Sequence, residues 1–305
     1  MKGGISKNLA FRCLTGLSSA SVLVVVAAML ATLAWESFPA LRHFGVLRFL
    51  SSSDWNYSTG TFGALRPLAG TFLSTALALS VAVPVALGMA VFLTELCPHR
   101  LRAAIAAALE LLAAIPSIIY GMWGLFVLAP FLEAHFQPLV SGTLGQLPVA
   151  GPFFRARLAG GVNLFTASMI LAVMIVPFIS SIAREAMSQV PAMLRESSYG
   201  LGATRWETIR WVVIPFSKMA LAGGVILAMG RALGETMAVA YVIGNRHAAL
   251  DSIFSPYVTI TSVMANEFNE AGGLQLSALF SLALILFLAN FMALSLAKRL
   301  LGGRR

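Results

Sequence analysis

Two ionisable residues, Arg231 and Glu235, interrupt the run 217–243, which is otherwise apolar beyond Lys218 near its start. Residues four positions apart share one face of a helix. If this run crosses a membrane, the arginine costs about 2.5–3.5 kcal/mol on insertion scales, and a buried ion pair is a poor way to gain stability. The planar guanidinium suits the oxygens of an oxyanion. We therefore interpret Arg231 as attracting an anion and Glu235 as limiting how tightly it binds, although a structural ion pair fits the same spacing.

A second polar interruption, Pro116 followed by Ser117, lies within the apolar run 111–132. Proline there frees a backbone carbonyl, and a neighbouring hydroxyl suits a kink that lines a cavity. A kink that serves packing alone, as at Pro84 or Pro177, fits equally well.

The sequence lacks the patterns that would give the chain an ATP, metal or protease site. A Walker A loop needs glycine directly before its lysine, whereas the lysines follow Met1, Ser6, Ser217 and Ala297. The four histidines form no HExxH pattern, and the two cysteines, Cys13 and Cys97, belong to no cluster. We therefore expect no catalytic site, no metal and no cofactor in this chain, so energy for any transport step must come from partners.

The composition predicts which elements position these residues. Of 305 residues, 58% are hydrophobic and 11% are charged, and the mean hydropathy is +0.85. Soluble domains carry about 25% charged residues, so we predict an all-α polytopic membrane protein. The net charge of +9 is spread over short segments between apolar runs, which favours contact with anionic lipid rather than nucleic acid.

Five charge-free intervals long enough to cross a bilayer, together with the run 217–243 that carries Arg231 and Glu235, predict six transmembrane helices. The first, 13–35, is too long for a cleaved signal and is interpreted as a retained anchor, followed by an outer segment to residue 66. The predicted transmembrane domain covers 67–297, and a basic cytoplasmic tail covers 298–305. The interval 134–154 is rich in glycine and proline, which predicts a loop. The other predicted spans are about 67–94, 104–132, 160–183, 217–243 and 273–297.

The distribution of basic residues predicts that both termini are cytoplasmic. In this orientation the outer loops hold only Arg42, Arg48, Arg66, Arg155, Arg157 and Arg246. All other basic residues except Arg231 lie on the cytoplasmic side, as the positive-inside rule requires.

The longest cytoplasmic segment, 184–216, predicts two short helices. Pro191 favours a helix start, which gives a first helix over 192–200 with Ser197 and Ser198 on its surface. Glycines at 200 and 202 favour its end, and a second helix over 204–213 leads to the next span. The residues fit a helix that docks into another protein and fit a structured basic loop equally well.

The spacing in this segment resembles the EAA loop of ABC-importer permeases. That motif reads Glu-Ala-Ala, three residues, Gly, nine residues, Ile, one residue, Leu-Pro, and this chain has Glu196-Ser197-Ser198, then Gly202, Val212 and Ile214-Pro215. The substitutions are small for small and aliphatic for aliphatic. The resemblance implies coupling to an ATPase through Glu196, Ser197, Ser198, Tyr199, Gly200, Gly202, Ala203 and Thr204.

Further stretches resemble phosphate-specific ABC permeases of the PstC type. They are 110–130, Gly230-Arg-Ala-Leu-Gly-Glu-Thr-Met-Ala-Val239, 243–245 and 265–268. The resemblance implies a type I ABC importer permease core with a cytoplasmic coupling helix, and phosphate as substrate. It also implies a sister permease (PstA-like), a periplasmic phosphate-binding protein, and two ATPase subunits that bind ATP and magnesium. The resemblance also places functional residues at Arg231 and Glu235. The predicted translocation pathway consists of Arg231, Glu235, Thr236, Pro116 and Ser117.

Two other transport functions stay open at this point. A permease for another oxyanion, such as sulfate or molybdate, would use the same guanidinium chemistry. An ion-coupled secondary carrier would work without an ATPase. An intramembrane enzyme would need a nucleophile and a base held together, and the sequence suggests none.

Overall fold

The computed structural model describes residues 2–148, 151–155 and 160–302, with side chains over 11–148, 151–155 and 160–299. Six helices in this part of the chain are long and apolar enough to cross a membrane. The predicted all-α architecture with six transmembrane helices is confirmed. The six helical stretches are Phe11–Phe44, Leu65–Leu96, Ser117–Gln146, Leu164–Ser188, Arg205–Leu233 and Gly273–Arg299.

The first third of the chain consists of long helices and one small hairpin. Helix α1 has 43 residues, so it is about 65 Å long at 1.5 Å per residue and extends well past the anchor predicted over 13–35. Strands β1 and β2 pair antiparallel, with Trp55 opposite Phe62. The elements are α1 (Lys2–Phe44), α2 (Val46–Ser51), β1 (Trp55–Asn56), β2 (Thr61–Phe62), α3 (Leu65–Val91), a π-helical turn (Phe92–Leu96) and α4 (His99–Ala114).

The middle third differs from the prediction in two places. The third span begins after a break at Pro116 instead of near residue 104, and helix continues to Gln146, so the prediction of a loop is wrong for 134–146. Pro130 and Pro138 each follow a π-helical turn, where the backbone hydrogen-bond register is already shifted, so neither ends the helix. The elements are α5 (Ser117–Trp123), α6 (Ala129–Phe131), α7 (Gln137–Thr143) and α8 (Gly151–Phe154), with π-helical turns Gly124–Leu128 and Leu132–Phe136 and a 3₁₀ turn Leu144–Gln146.

The last elements include a broken span. The run predicted as one helix over 217–243 is two helices separated by residues 234–236. The elements are α9 (Leu164–Ser188), α10 (Ala192–Gly200), α11 (Arg205–Thr208), a π-helical turn (Ile209–Val213), α12 (Ile214–Leu233), α13 (Met237–Val242), α14 (Ile260–Glu267) and α15 (Gly273–Gly302).

Helix α9 is the centre of the packing. It contacts α3, α12, α13 and α4. The face of α3 toward the core carries alanines spaced four apart, all fully buried: Ala78, Ala82, Ala86 and Ala90. Small residues at this spacing let two membrane helices approach closely. Helix α9 therefore contacts most of the helices of the bundle.

Helices α1 and α15 form a second packing unit, joined by hydrogen bonds. The Ser277 hydroxyl donates to the Glu36 carbonyl oxygen at 2.7 Å and accepts from the Ala40 N–H at 2.9 Å. The Ser281 hydroxyl donates to the Ser37 carbonyl oxygen at 3.3 Å. These bonds fix the second half of the long first helix against the last span.

A polar cluster made of Trp55, His247, Glu267 and Gln275, here called the Trp55 cluster, ties the hairpin to two later segments. Glu267 Oε2 accepts from Trp55 Nε1 and from Gln275 Nε2, both at 2.9 Å, and Oε1 lies 3.3 Å from His247 Nε2. The Trp55 and His247 rings stack at 5.7 Å. Burial acts to raise the pKa of Glu267, but the hydrogen bonds from His247, Trp55 and Gln275 outweigh it and hold the pKa below its ordinary value.

Candidate functional site

The two charges of the fifth span lie on either side of the helix break. Arg231 is in the last turn of α12, which ends at Leu233, and Glu235 follows in the non-helical segment. The expectation that they share one helical face is wrong, because the helix ends before Glu235. Within the described ranges no ion pair joins the two side chains. The structural ion pair considered from their spacing is therefore not formed.

Glu235 instead caps the helix that follows it. Its Oε1 accepts from the Ala238 backbone N–H at 3.3 Å, and its carbonyl oxygen accepts from the Thr261 hydroxyl at 2.7 Å. The first N–H groups of a helix lack partners within the helix and carry partial positive charge, so a carboxylate there is favourable. The negative charge of Glu235 is therefore matched by the start of α13 rather than by Arg231.

The guanidinium of Arg231 has no hydrogen-bond or ion-pair partner among the described residues, and its side chain is exposed. Its position in the last turn of α12 is favourable because helix carbonyls give that end partial negative charge. Five N–H donors therefore remain for an anion.

The break at Pro116 lies beside the break in the fifth span. Ile115 and Pro116 both adopt extended backbone, so the expected kink is a complete interruption, and Ser117 is the first residue of α5. Helix α5 packs on α13, and a Cβ added at Gly121 would lie 3.0 Å from Ala238 Cα. The fold thus places α5, which begins at Ser117, against α13, which follows Glu235.

Two residues in this region were not predicted from the sequence. Tyr120 lies within electrostatic range of Arg231, and its hydroxyl donates to the Leu112 carbonyl oxygen at 2.7 Å across the Pro116 break. Thr261 holds the peptide of Glu235, although it is far away in sequence. The position of Tyr120, one turn after Pro116, is a sequence signal that its hydroxyl could bond to a carbonyl freed by the proline. No residue near Glu235 in the sequence indicates the contact with Thr261.

Thr236 lies on a cavity of about 670 Å³ beside the break. The cavity also touches Gly234, Thr261 and Asn290, but its wall is mostly apolar, and neither Arg231 nor Glu235 is among its described lining residues. The Thr236 hydroxyl donates to the Gly234 carbonyl oxygen at 3.3 Å. Thr236 therefore shapes the break, whereas the polar surface at Arg231 lies elsewhere.

The segment 184–216 folds as the local signals predict. Helix α10 spans Ala192–Gly200 directly after Pro191, which confirms the predicted bounds. The N–H of Gly202 bonds to the Tyr199 carbonyl and that of Ala203 to the Ser198 carbonyl, with Gly202 at φ +86°. This pattern is the Schellman motif, which favours glycine at the left-handed position. Gly200 is the last helical residue and has no such requirement.

Thr204 begins the second short helix. Its hydroxyl accepts from the Glu207 N–H at 3.3 Å, and the Glu207 carboxylate accepts from the Thr204 N–H at 2.7 Å. This is a capping box. The helix predicted over 204–213 is present as α11 and the π-helical turn Ile209–Val213, which leads directly into α12.

The exposed surface of α10 differs from the small-residue face expected. Glu196 and Ser197 are exposed, but Ser198 faces the neighbouring α11, where its hydroxyl lies 3.0 Å from that of buried Thr208. The apolar side chains that stand out are large: Met193, Tyr199 and Leu201 are 71%, 43% and 90% exposed. A partner would therefore meet an apolar surface beside an acidic residue.

The comparisons with known proteins agree with this architecture. Residues 82–302 match the family described as "Binding-protein-dependent transport system inner membrane component". The fold resembles a bacterial ABC transporter involved in the import of the acidic polysaccharide alginate (TM-score 0.57, 15% identity, 94% of this chain and 96% of that chain). It also resembles the inward-facing MetNI methionine ABC transporter (TM-score 0.53, 18% identity, 79% of this chain and 94% of that chain). These structures show the fold of an ABC importer permease.

Relatives of higher identity define the family more closely. The phosphate transport system permease protein PstC of Haemophilus influenzae is 48% identical over 288 residues, covering 94% of this chain and 91% of the relative. The phosphate transport system permease protein PstC of Mesorhizobium japonicum is 49% identical over 292 residues, covering 95% of this chain and 89% of the relative. The chain belongs to the PstC family of ABC importer permeases, and it is a multi-pass inner membrane protein.

Proposed function

We propose that this chain is the permease subunit of an ATP-driven phosphate importer and forms half of its translocation pathway. The observation that carries the proposal is 48% identity to a phosphate permease over 94% of this chain. The free guanidinium of Arg231 supports it, because planar N–H donors suit phosphate oxygens.

At the pathway, Arg231 attracts the anion and Glu235 limits how tightly it is held. The two roles are compatible with the helix break, because the carboxylate of Glu235 caps α13 and leaves the arginine unpaired. Pro116 and Ser117 form the break before the third span, whose first helix, α5, packs on α13. Thr236 sets the shape of the break between α12 and α13.

Coupling runs through the segment 184–216. The α10 surface, which includes Glu196, Ser197, Tyr199 and the turn at Gly202, would dock onto a cytoplasmic ATPase subunit. Ser198, Gly200, Ala203 and Thr204 would hold the shape of that surface. The chain has no ATPase site of its own in this proposal, and ATP and magnesium are bound by two ATPase subunits.

The remaining parts of the importer are a sister permease (PstA-like), which supplies the other half of the pathway, and a periplasmic phosphate-binding protein. Both termini of this chain would face the cytoplasm, as the positive-inside rule predicts. The alternatives are a permease for sulfate or molybdate, which present similar oxygens, and an ion-coupled secondary carrier.

Uptake by the complete importer in proteoliposomes tests these functions together. We expect labelled phosphate to enter only with ATP and the ATPase subunits present, and excess sulfate or molybdate to compete poorly. Uptake without the ATPase would indicate a secondary carrier, and strong competition would indicate another oxyanion.

Two substitutions test the pathway in the same assay. Arg231→Gln and Glu235→Gln should each lower uptake, with Arg42→Gln, an exposed arginine on α1, as the matched control. Full uptake by both variants in an assembled complex would remove the proposed roles of Arg231 and Glu235.

A further inference from the structure

Helix α10 is held to the rest of the chain without burying any residue of its own. None of its nine residues is buried. Its Ser198 hydroxyl contacts Thr208 on the next helix, which belongs to the same cytoplasmic segment. In the described part of the chain, the side chain of Arg195 makes the polar contacts that connect α10 to the ends of the transmembrane helices.

The guanidinium of Arg195 joins three segments at one point. Its Nη2 and Nε lie 3.0 Å and 3.3 Å from Glu95 Oε1, on the π-helical turn that ends the α3 span. Its Nη2 also donates to the Met187 carbonyl oxygen at 2.8 Å, and its Nη1 donates to that of Val190. Met187 lies in the last turn of α9, where helix carbonyls lack partners within the helix.

This ion pair is far less exposed than the other arginine–carboxylate pair described. The side chains of Arg195 and Glu95 are 20% and 10% exposed, whereas those of Arg184 and Glu110 are 27% and 61% exposed. Charge-assisted bonds are stronger than neutral ones, and water competes less for a pair that is largely buried. The contact therefore holds α10 firmly against the ends of α3 and α9.

The two helices that Arg195 reaches are connected to the helix break. Helix α9 packs on α3, α12 and α13, and α12 and α13 flank Gly234 and Glu235. A displacement of α10 that is passed to α9 therefore reaches the segment that carries Arg231. Packed helices are the kind of contiguous structure through which two sites can be coupled.

We propose that Arg195 is a positioning residue that transmits the movement of α10 to α3 and α9, so that ATP hydrolysis in the partners drives transport. This inference rests on the proposed ATP-driven function. Lysine would not replace the arginine fully, because one ammonium group lacks the fork of donors that reaches a carboxylate and two carbonyl groups at once. Without the contact, α10 would move without carrying the span ends with it.

The test is the number of phosphate ions imported per ATP hydrolysed by the complete importer in proteoliposomes. We expect Arg195→Gln to lower this ratio about tenfold, the range of typical coupling effects, while ATP hydrolysis by the assembled complex continues. The ratio for Arg195→Lys should lie between those of Arg195→Gln and the wild type. The matched control is Arg100→Gln, an exposed arginine at the start of α4, which should keep the wild-type ratio.

A second variant keeps the test decisive if Arg195→Gln fails to assemble. Glu95→Gln preserves the shape of the acceptor and the carbonyl bonds of Arg195 but removes the ion pair, so the ratio should fall by a smaller factor. An unchanged ratio in the assembled Glu95→Gln complex would overturn the proposal, as would a proportional fall of hydrolysis and uptake in Arg195→Gln. If the wild-type complex imports no phosphate with ATP, the proposed function itself fails, which is a distinct result.

Discussion

The hydroxyl of Thr261 donates a 2.7 Å hydrogen bond to the carbonyl oxygen of Glu235. This bond joins α14 to the break in the fifth span, across 26 positions of sequence. It satisfies a carbonyl group in the non-helical segment after α12. The position of the intramembrane carboxylate therefore depends on a helix that is not itself a span.

Replacing Thr261 by valine should lower phosphate uptake by the reconstituted importer. Valine keeps the side-chain shape but leaves the half-buried Glu235 carbonyl without its donor and removes the contact with the Thr259 hydroxyl. A polar group left without its partner costs at most about 1–3 kcal/mol. Serine, which keeps the hydroxyl, should restore most of the uptake. Thr75→Val is the control, because the Thr75 hydroxyl is buried without a described partner. Equal uptake by Thr261→Val and Thr261→Ser would contradict the role of the bond.

Alanine at Gly121 should destabilise the protein. Its Cβ would lie 2.9 Å from Tyr241 Cδ2 and 3.0 Å from Ala238 Cα, so α5 and α13 would have to move apart, at a cost of about 1–3 kcal/mol. Thermal unfolding of the detergent-solubilised subunit measures the effect. Gly88→Ala is the control, because nothing lies within 4 Å of its added Cβ. A melting temperature equal to that of the control would show that the contact between α5 and α13 is looser than described.

Alanine at Gly202 should weaken binding of the ATPase subunits. Gly202 has φ +86°, a conformation that costs an L-residue about 1–2 kcal/mol, so the turn after α10 would shift. Asparagine tolerates this conformation better and should have a smaller effect. The affinity of the permease pair for the ATPase subunits is the measurement.

The control for this substitution is Gly200→Ala, two positions earlier. Gly200 is helical and open around its Cβ position, and alanine is favoured over glycine in helices by about 1 kcal/mol. Equal losses of affinity at 200 and 202 would argue against a specific requirement for the left-handed turn.

The Trp55 cluster should stabilise the protein in a pH-dependent way. The folded state holds the pKa of Glu267 below its ordinary value of 4.5, so the folded protein binds a proton at this group less readily than the unfolded chain. Its stabilising contribution is therefore complete above pH 4.5 and is lost as the pH falls through the lower folded value.

Glu267→Gln should remove this part of the acid dependence. Melting temperatures at neutral pH and at a series of values below 4.5 would be compared with those of Glu270→Gln, which changes an exposed carboxylate nearby. The Glu267 variant should be less stable at neutral pH and should lose less on acidification. Parallel pH curves for the wild type and Glu267→Gln would refute this account.

The six spans could be predicted from the sequence because each ionised side chain inside lipid carries a large cost. Five of the six spans were therefore found from charge-free intervals, and the fifth was found although it carries Arg231. The bounds of α10 were also predictable, since Pro191 and Gly202 act through the local backbone. In contrast, hydropathy does not report the path of the backbone within an apolar run, so the complete break at Pro116 was expected only as a kink and the break at Gly234 was not expected at all.

The environments of individual side chains required the three-dimensional structure. The spacing of Arg231 and Glu235 suggested a shared face, but this inference assumed a continuous helix. Ser198 looked like part of a docking surface because its partner, Thr208, lies on the next helix. Arg195 resembled any basic residue of a cytoplasmic loop, and only the fold places Glu95 and the end of α9 around its guanidinium.

The opposite charges at the broken span are each matched by a different helix end. Replacing either residue therefore leaves no opposite charge without its match. In the proposed pathway, a change at Arg231 would alter the contact with the anion while the cap of α13 by Glu235 stays in place.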